Sequence, residues 1–320
     1  MPAPRVLFVK LSSLGDVVHH LPAVTDLVEH RPDVRIAWAV EEAYEELVRL
    51  HPGVSEVIPV GLRGLRRNLL DGARWRRAGE ARRALAGGGW DYVVDTQGLI
   101  KSAVVARAAK GVSFGMDKRS AREPAASRLY DVRIPVARDR HAVERNRELV
   151  ARVFGYGIDK PARYGLVAPP APPSWAPAGH YAVMLHAASR ARKRWPDNHW
   201  IALAQLLAES GHASVFPGGN DEERRDAARL AAACTNAIAA PAMGLAEAAA
   251  LIGHASLVAG VDTDLTHLAV ALARPTVGIY TATQPQLTGL YGNDGVNLGG
   301  PGSIPSVEAV ATALGYQPAA

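Results

Sequence analysis

Short β-branched runs alternate with helical patterns from one end of this chain to the other, and that alternation restricts its fold more than any other feature. In the first half Val6–Lys10, Val34–Ala39, Val54–Val60 and Tyr92–Asp95 read as strands, with Val17–Glu29 and His141–Phe154 as helices. In the second half Tyr181–His186, Ser214–Pro217, Leu257–Val261 and Thr276–Tyr280 read as strands. Its helices read as Asn198–Glu209, Glu222–Ala233, Ala246–Leu251 and Leu265–Ala273. Strands separated by helices pair in parallel, with helices covering both faces of the sheet. Between the halves lies a Pro-rich segment, VAPPAPPSWAPAGH (167–180), which continues neither strand nor helix and reads as a semi-rigid linker. The expected architecture is α/β: two doubly wound domains, 1–166 and 181–320, facing across a cleft. Ligands in such sheets bind beyond the carboxyl ends of the strands.

A length of 320 residues suits two domains. No apolar run reaches the ~18 residues of a membrane span, which excludes an integral membrane protein. The opening MPAPRVLFVK runs straight into a strand, so no secretory signal is expected. Cys234 is the one cysteine, which excludes an intramolecular disulfide, a CxxC redox pair and a thiolate zinc cluster; it reads as core filler. A cytoplasmic, non-redox protein is expected. The net charge of +5 hides an asymmetry: residues 1–165 hold 28 Lys/Arg against 20 Asp/Glu, residues 166–320 hold 8 against 11. The basic excess gathers in Arg63–Arg83 and Lys101–Arg152. It favours an anionic partner (nucleic acid, an anionic membrane surface or a phosphorylated substrate) or else marks solvated helix faces in an Arg-rich sequence. No RRM-like, KH-like or zinc-finger pattern accompanies it, so no nucleic acid is expected.

Four loops at strand ends carry candidate chemistry. After the first strand, Lys10-Leu-Ser-Ser-Leu-Gly-Asp16 turns tightly into a helix and places Asp16 in its first turn, facing the positive end of the helix dipole. Asp16 reads either as a helix cap or as a general base at the sheet's carboxyl edge. A GxGxxG pattern is absent here, against a dinucleotide-binding unit. In HAASRARKRWP (186–196), Arg190, Arg192, Lys193 and Arg194 crowd one loop beside Ser189. This is either an exposed basic loop or a diphosphate clamp, because repulsion this dense is costly without an anion to offset it. Gly260-Val-Asp262-Thr263-Asp264-Leu-Thr266-His267 leads from a strand into a helix whose free N–H groups suit a phosphate. His267 reads as a core histidine or as a group pointing back at the loop; Asp262 and Asp264 form a weak DxD metal pattern. In FPGGNDEE (216–223), the acidic residues cap a helix or Glu223 grips ribose hydroxyls.

Six segments together resemble the ADP-heptose:lipopolysaccharide heptosyltransferases of glycosyltransferase family 9, in the family's order over nearly the whole chain. They are VKLSSLGDVVHHLPAVTDL (9–27), DYVVDTQGLIKSA (91–103), GMDKRSAREPAAS (115–127), HAVERNRELVARVFGY (141–156), LHAASRARKRWPDNHW (185–200) and VDTDLTHLAVALARPTVGIY (261–280). The AREP and HAVERNREL segments are similar to the type I members rather than to heptosyltransferase II, which stays the alternative. The resemblance implies a GT-B fold of two Rossmann-like domains, acceptor in the first and nucleotide sugar in the second, with the last helix a candidate to pack back on the first. It implies inverting transfer of L-glycero-D-manno-heptose from ADP-heptose to a Kdo sugar of Kdo2-lipid A, with no metal and no cofactor. The protein would be peripheral on the anionic cytoplasmic face of the inner membrane. Carried over by position, Asp16 matches the catalytic base, and Ser189 and Lys193 the donor-phosphate residues. Asp262, Thr263 and His267 match the donor-binding turn, with Asp264 inside it as a further donor-side candidate, and Glu223 matches the ribose carboxylate. Arg63, Arg66, Arg67 and Arg122 stand where the family presents cations to the acceptor's anionic groups.

Four departures fall in the second half. Asp264 replaces the usual Gly, Ala188-Ser189 a pair of threonines, Gly218 a Trp, and Thr281–Gln286 an ATDPG-like run. A carboxylate at position 264 meets the donor phosphates where they approach the helix, so weakened ADP affinity is expected. A nucleotide or lipid-headgroup binder with a decayed donor site is the alternative from another class.

Overall fold

The computed structural model describes residues 2–61 and 72–316; Arg63, Arg66 and Arg67 lie outside the described residues. The chain divides into two compact units, Met1–Leu166 and Val167–Ala320.

The first unit is built on a six-stranded sheet of β1 (Arg5–Val9), β2 (Arg35–Val40), β3 (Val54–Pro59), β4 (Tyr92–Asp95), β5 (Val112–Met116) and β6 (Val132–Ile134). All pairs are parallel, in the order β3-β2-β1-β4-β5-β6. The central strands are apolar on both faces, as a sheet covered by helices requires: Val6, Leu7, Phe8 and Val9 are fully buried. The helices are α1 (Leu14–Val18), α2 (Leu21–His30), α3 (Glu45–Val48), α4 (Gly72–Gly87), α5 (Ile100–Ala108) and α6 (Ala142–Phe154). The helix expected over Val17–Glu29 is thus two. Pro22 sits in the first turn of α2, where its missing N–H costs nothing, and the same ring bars α1 from running on. Helix α6 ends at Gly155 in the left-handed conformation, φ 73°.

The second unit repeats the plan. Its strands are β7 (Tyr181–Leu185), β8 (Ala213–Phe216), β9 (Ala237–Ala239), β10 (Leu257–Val261), β11 (Thr276–Tyr280) and β12 (Gly295–Gly299), all parallel, in the order β12-β11-β10-β7-β8-β9. Counted within the unit this is again 3-2-1-4-5-6, the dinucleotide-fold order, whose switch point lies between the first and fourth strands. Its helices are α7 (Asp197–Glu209), α8 (Asp221–Ala232), α9 (Leu245–Gly253), α10 (Asp264–Ala271) and α11 (Val307–Ala313). Trp200, Leu203, Ala204 and Leu207, at helical spacing on α7, are buried together with Val307, Val310 and Ala311 of α11. The last helix therefore packs into the second unit's core. The Pro-rich segment also groups with this unit: Trp175 Nε1 donates to Glu247 on α9 (2.7 Å), and His254 Nε2 lies 2.8 Å from the Pro169 carbonyl oxygen.

Candidate active site

In the first unit the loop after β1 is fixed by a residue far away in sequence. The Gln97 side chain, following β4, accepts from Leu11 N (2.6 Å) and donates to the Ser12 carbonyl (2.6 Å). Lys101 Nζ donates to Ser12 Oγ at 2.8 Å. Below the loop, buried Lys10 donates to the Thr96 carbonyl (3.0 Å); burial lowers its pKa, opposed by the charges of Asp16 and Asp95. Asp95 is buried too, and burial raises its pKa against hydrogen bonds from Tyr130, Ser102, Gln97 and Gly98. On this platform Asp16, in the first turn of α1, remains partly exposed. Its Oδ2 accepts from Ser13 N (3.3 Å) and from Arg122 Nη1 (2.8 Å). Asp16 thus closes a capping box with Ser13 at the start of α1 while part of its carboxylate stays accessible. Two sequence-selected residues 106 positions apart are brought into one ion pair.

In the second unit a cavity of about 370 Å³ opens at the carboxyl ends of β7, β8 and β10, the switch point of that sheet. Ser189, Gly218, Glu223, Gly244 and Thr263 line it, with Leu185, Met243 and Leu265 giving it an apolar wall. Glu223 Oε2 accepts from Gly219 N (2.8 Å), while the cap of α8 is Asn220, whose Oδ1 accepts from Glu223 N (2.9 Å). Next to Thr263, Asp262 Oδ2 meets Lys193 Nζ at 2.6 Å and accepts from Thr283 Oγ1 at 2.6 Å. Burial would raise the Asp262 pKa; the hydrogen bonds from Lys193 and Thr283, with the charges of Lys193 and His267, outweigh it and hold the carboxyl below its usual value. His267 is buried on the first turn of α10.

The basic loop is offset differently from expectation. Lys193 pairs with Asp262 and Arg194 with Asp226 at 3.2 Å, so protein carboxylates balance two of the four cations without an external anion. Asp264 stands between the lining residues Thr263 and Leu265 at the start of α10. Asp262 and Asp264 gain no third ligand: among the described residues no group of three His, Cys, Asp or Glu is placed to hold a metal. At Gly218 the chain leaves no room for a side chain. A Cβ there would lie 2.6 Å from the Arg224 nitrogen and 2.6 Å from the Glu223 carbonyl carbon, so this backbone admits only glycine. Sequence reading missed Gln97, Lys101 and Thr283. The signal for Gln97 was its place in DTQGL, directly after the strand across the switch point from β1.

Two solved structures share this architecture. E. coli heptosyltransferase WaaC with ADP superposes with a TM-score of 0.89 at 39% identity, covering 96% of this chain and 98% of that one. WaaC with ADP-2-deoxy-2-fluoro heptose gives 0.84 at 38%, covering 97% and 98%. Paired Rossmann-order sheets, with candidate sites at both switch points, make this chain a glycosyltransferase of the GT-B class. Residues 79–314 match the profile of glycosyltransferase family 9 (heptosyltransferase), and lipopolysaccharide heptosyltransferase 1 of Pseudomonas aeruginosa is 40% identical over 319 residues, 98% of this chain and 88% of the relative. The chain belongs to glycosyltransferase family 9, the heptosyltransferases.

Proposed function

We propose that this chain transfers L-glycero-D-manno-heptose from ADP-heptose to a Kdo sugar of Kdo2-lipid A, with inversion. The observation that carries the reading is the cavity at the second switch point, whose lining Thr263 follows Asp262 of the Lys193–Asp262 pair, in a chain this similar to a heptosyltransferase solved with ADP and with an ADP-heptose analogue. Asp16 takes the proton of the acceptor hydroxyl as that oxygen attacks the anomeric carbon, and ADP leaves from the opposite face. Arg122, with Arg63, Arg66 and Arg67, binds the acceptor's phosphates and carboxylates. Lys193, oriented by Asp262, joins Ser189 and the N–H groups at the start of α10 in stabilising charge on the departing diphosphate. Glu223 binds the ribose, and His267 and Asp264 complete the donor turn. No helix among the described residues is long and apolar enough to cross a membrane. The basic excess of the first half supports work as a peripheral protein at the anionic cytoplasmic face of the inner membrane.

The test is ADP release from ADP-heptose in EDTA, with and without Kdo2-lipid A. Acceptor-dependent release that Asp16→Ala abolishes, with ADP affinity kept within a few-fold, is the expected result. Loss of ADP binding in that variant would reduce Asp16 to a cap. ADP binding by the wild type without turnover would select the decayed-donor-site reading.

A further inference from the structure

Helix α5 has two unlike faces. Ser102, Ala103, Val105 and Ala106 are buried, while Ile100, Val104 and Arg107, on the opposite face at helical spacing, are exposed. Ile100 is 47% and Val104 55% accessible. Scattered exposed apolar residues are ordinary on a protein surface; two further observations set this stripe apart.

The first is its charge setting. Between Gly98 and Arg133 stand eight Lys/Arg and three Asp/Glu, an excess equal to the +5 of the whole chain. Of the three acids, Glu123 accepts the Ile100 N–H (2.6 Å), Asp131 accepts from Ser113 and from Arg107, and Asp117 accepts from Arg119 and Ser120 within its own turn. With Asp131 paired to Arg107 and all three acids counted, the segment that carries the stripe keeps its net +5, and Lys118, Arg119 and Arg128 are exposed on it. Apolar side chains flanked by cations are the pattern of a surface that rests at the headgroup boundary of an anionic bilayer.

The second is continuity with the site. Lys101, the second residue of α5, holds Ser12 of the catalytic loop at 2.8 Å, and Glu123, bonded to Ile100, follows Arg122, which holds Asp16. We infer that the Ile100–Val104 stripe of α5, with the cations around it, is the face by which this protein rests on an anionic lipid bilayer. The inference builds on the transferase reading, and it places the bilayer beside the residues that meet a lipid-borne acceptor.

The experiment measures partition onto vesicles of mixed phosphatidylglycerol and phosphatidylcholine, against phosphatidylcholine alone. The wild type is run beside a double variant, Ile100→Glu with Val104→Glu, and beside the uncharged pair Ile100→Ser with Val104→Ser. Wild type binding only the mixed vesicles, with both variants partitioning about tenfold less, is expected. Turnover of an acceptor stripped of its acyl chains stays unchanged in both variants, while turnover of vesicle-borne acceptor falls with partition. Equal partition of variants and wild type, or equal loss of turnover on the stripped acceptor, overturns the inference. Failure of the wild type to use the stripped acceptor strikes the transferase reading instead, and partition still decides the face.

Discussion

Lys193 and Asp262 already neutralise each other at 2.6 Å, so on the proposed function a diphosphate would meet a lysine held in place rather than a loose cation. Asp264 is the counterweight. A like-charge pair at ~4 Å costs about 4 kcal/mol at an effective dielectric near 20. Solvent reaches Asp264, so only part of that survives, and Asp264→Gly is expected to tighten ADP binding about tenfold by calorimetry. No tightening would mean that the carboxylate turns away from the phosphates. A second single-residue effect lies in the first unit. His51 is buried; its Nδ1 accepts the Gly53 N–H (3.1 Å) and its Nε2 faces Thr25 Oγ1 (2.9 Å). Burial pushes its pKa down to about 4. The unfolded chain takes up this proton near pH 6.5 and the folded one does not until about 4, so stability is complete above the upper value and drains away toward the lower. The loss is about 3 kcal/mol. Urea midpoints at pH 7 and 4.5 should therefore separate widely for the wild type and less for His51→Gln. Of the candidate site, Asp16, Asp262 and Glu223 were legible because each sits directly after a readable strand or in the first turn of a helix, and Lys193 because four cations crowd its loop. Gln97 and Thr283 were not, since their work is done on residues 86 and 21 positions away.

Between elements of the first unit, a buried ion pair joins α2 to α6. Arg147 grips Asp26 with two hydrogen bonds, 2.7 and 3.1 Å, both side chains buried, and donates a third to the Lys160 carbonyl at 2.8 Å. Asp26→Ala leaves a buried guanidinium unpaired and is expected to cost about 3–5 kcal/mol in urea unfolding, whereas replacing both partners by apolar residues should cost far less. A result of equal cost would deny that the pair is coupled. The central strands were legible as long β-branched runs. Missing from the sequence reading were β5, β6, β9 and β12, strands of three to five residues at or beside the sheet edges. Their pattern is weak for a physical reason: the edge strands β6 and β12 have one side open and leave Val132 and Val296 exposed, β5 beside the edge leaves Val112 exposed, and β9 is Ala-Ile-Ala. Gly218 shows the opposite limit, a departure whose cause is the approach of another backbone and which no local pattern reveals.

At the scale of the whole molecule, each unit closes its own core, and every residue lining the candidate donor cavity belongs to Val167–Ala320. ADP at about 100 times its Kd adds about 2.7 kcal/mol to whatever folds around it. Scanning calorimetry should therefore show one transition moving upward with ADP and another holding still; a uniform shift of a single transition would deny the units separate stability. Strand order itself was not legible, because alternation says that strands are parallel without saying which are neighbours, and the shared 3-2-1-4-5-6 order emerged only from the pairing. With that shared order, the proposed function assigns the donor's residues to one half and the acceptor's to the other. On that reading, mutations that retune the choice of nucleotide sugar fall in one half of the gene and those that retune the choice of acceptor in the other, so selection can revise either preference while the opposite one is inherited intact.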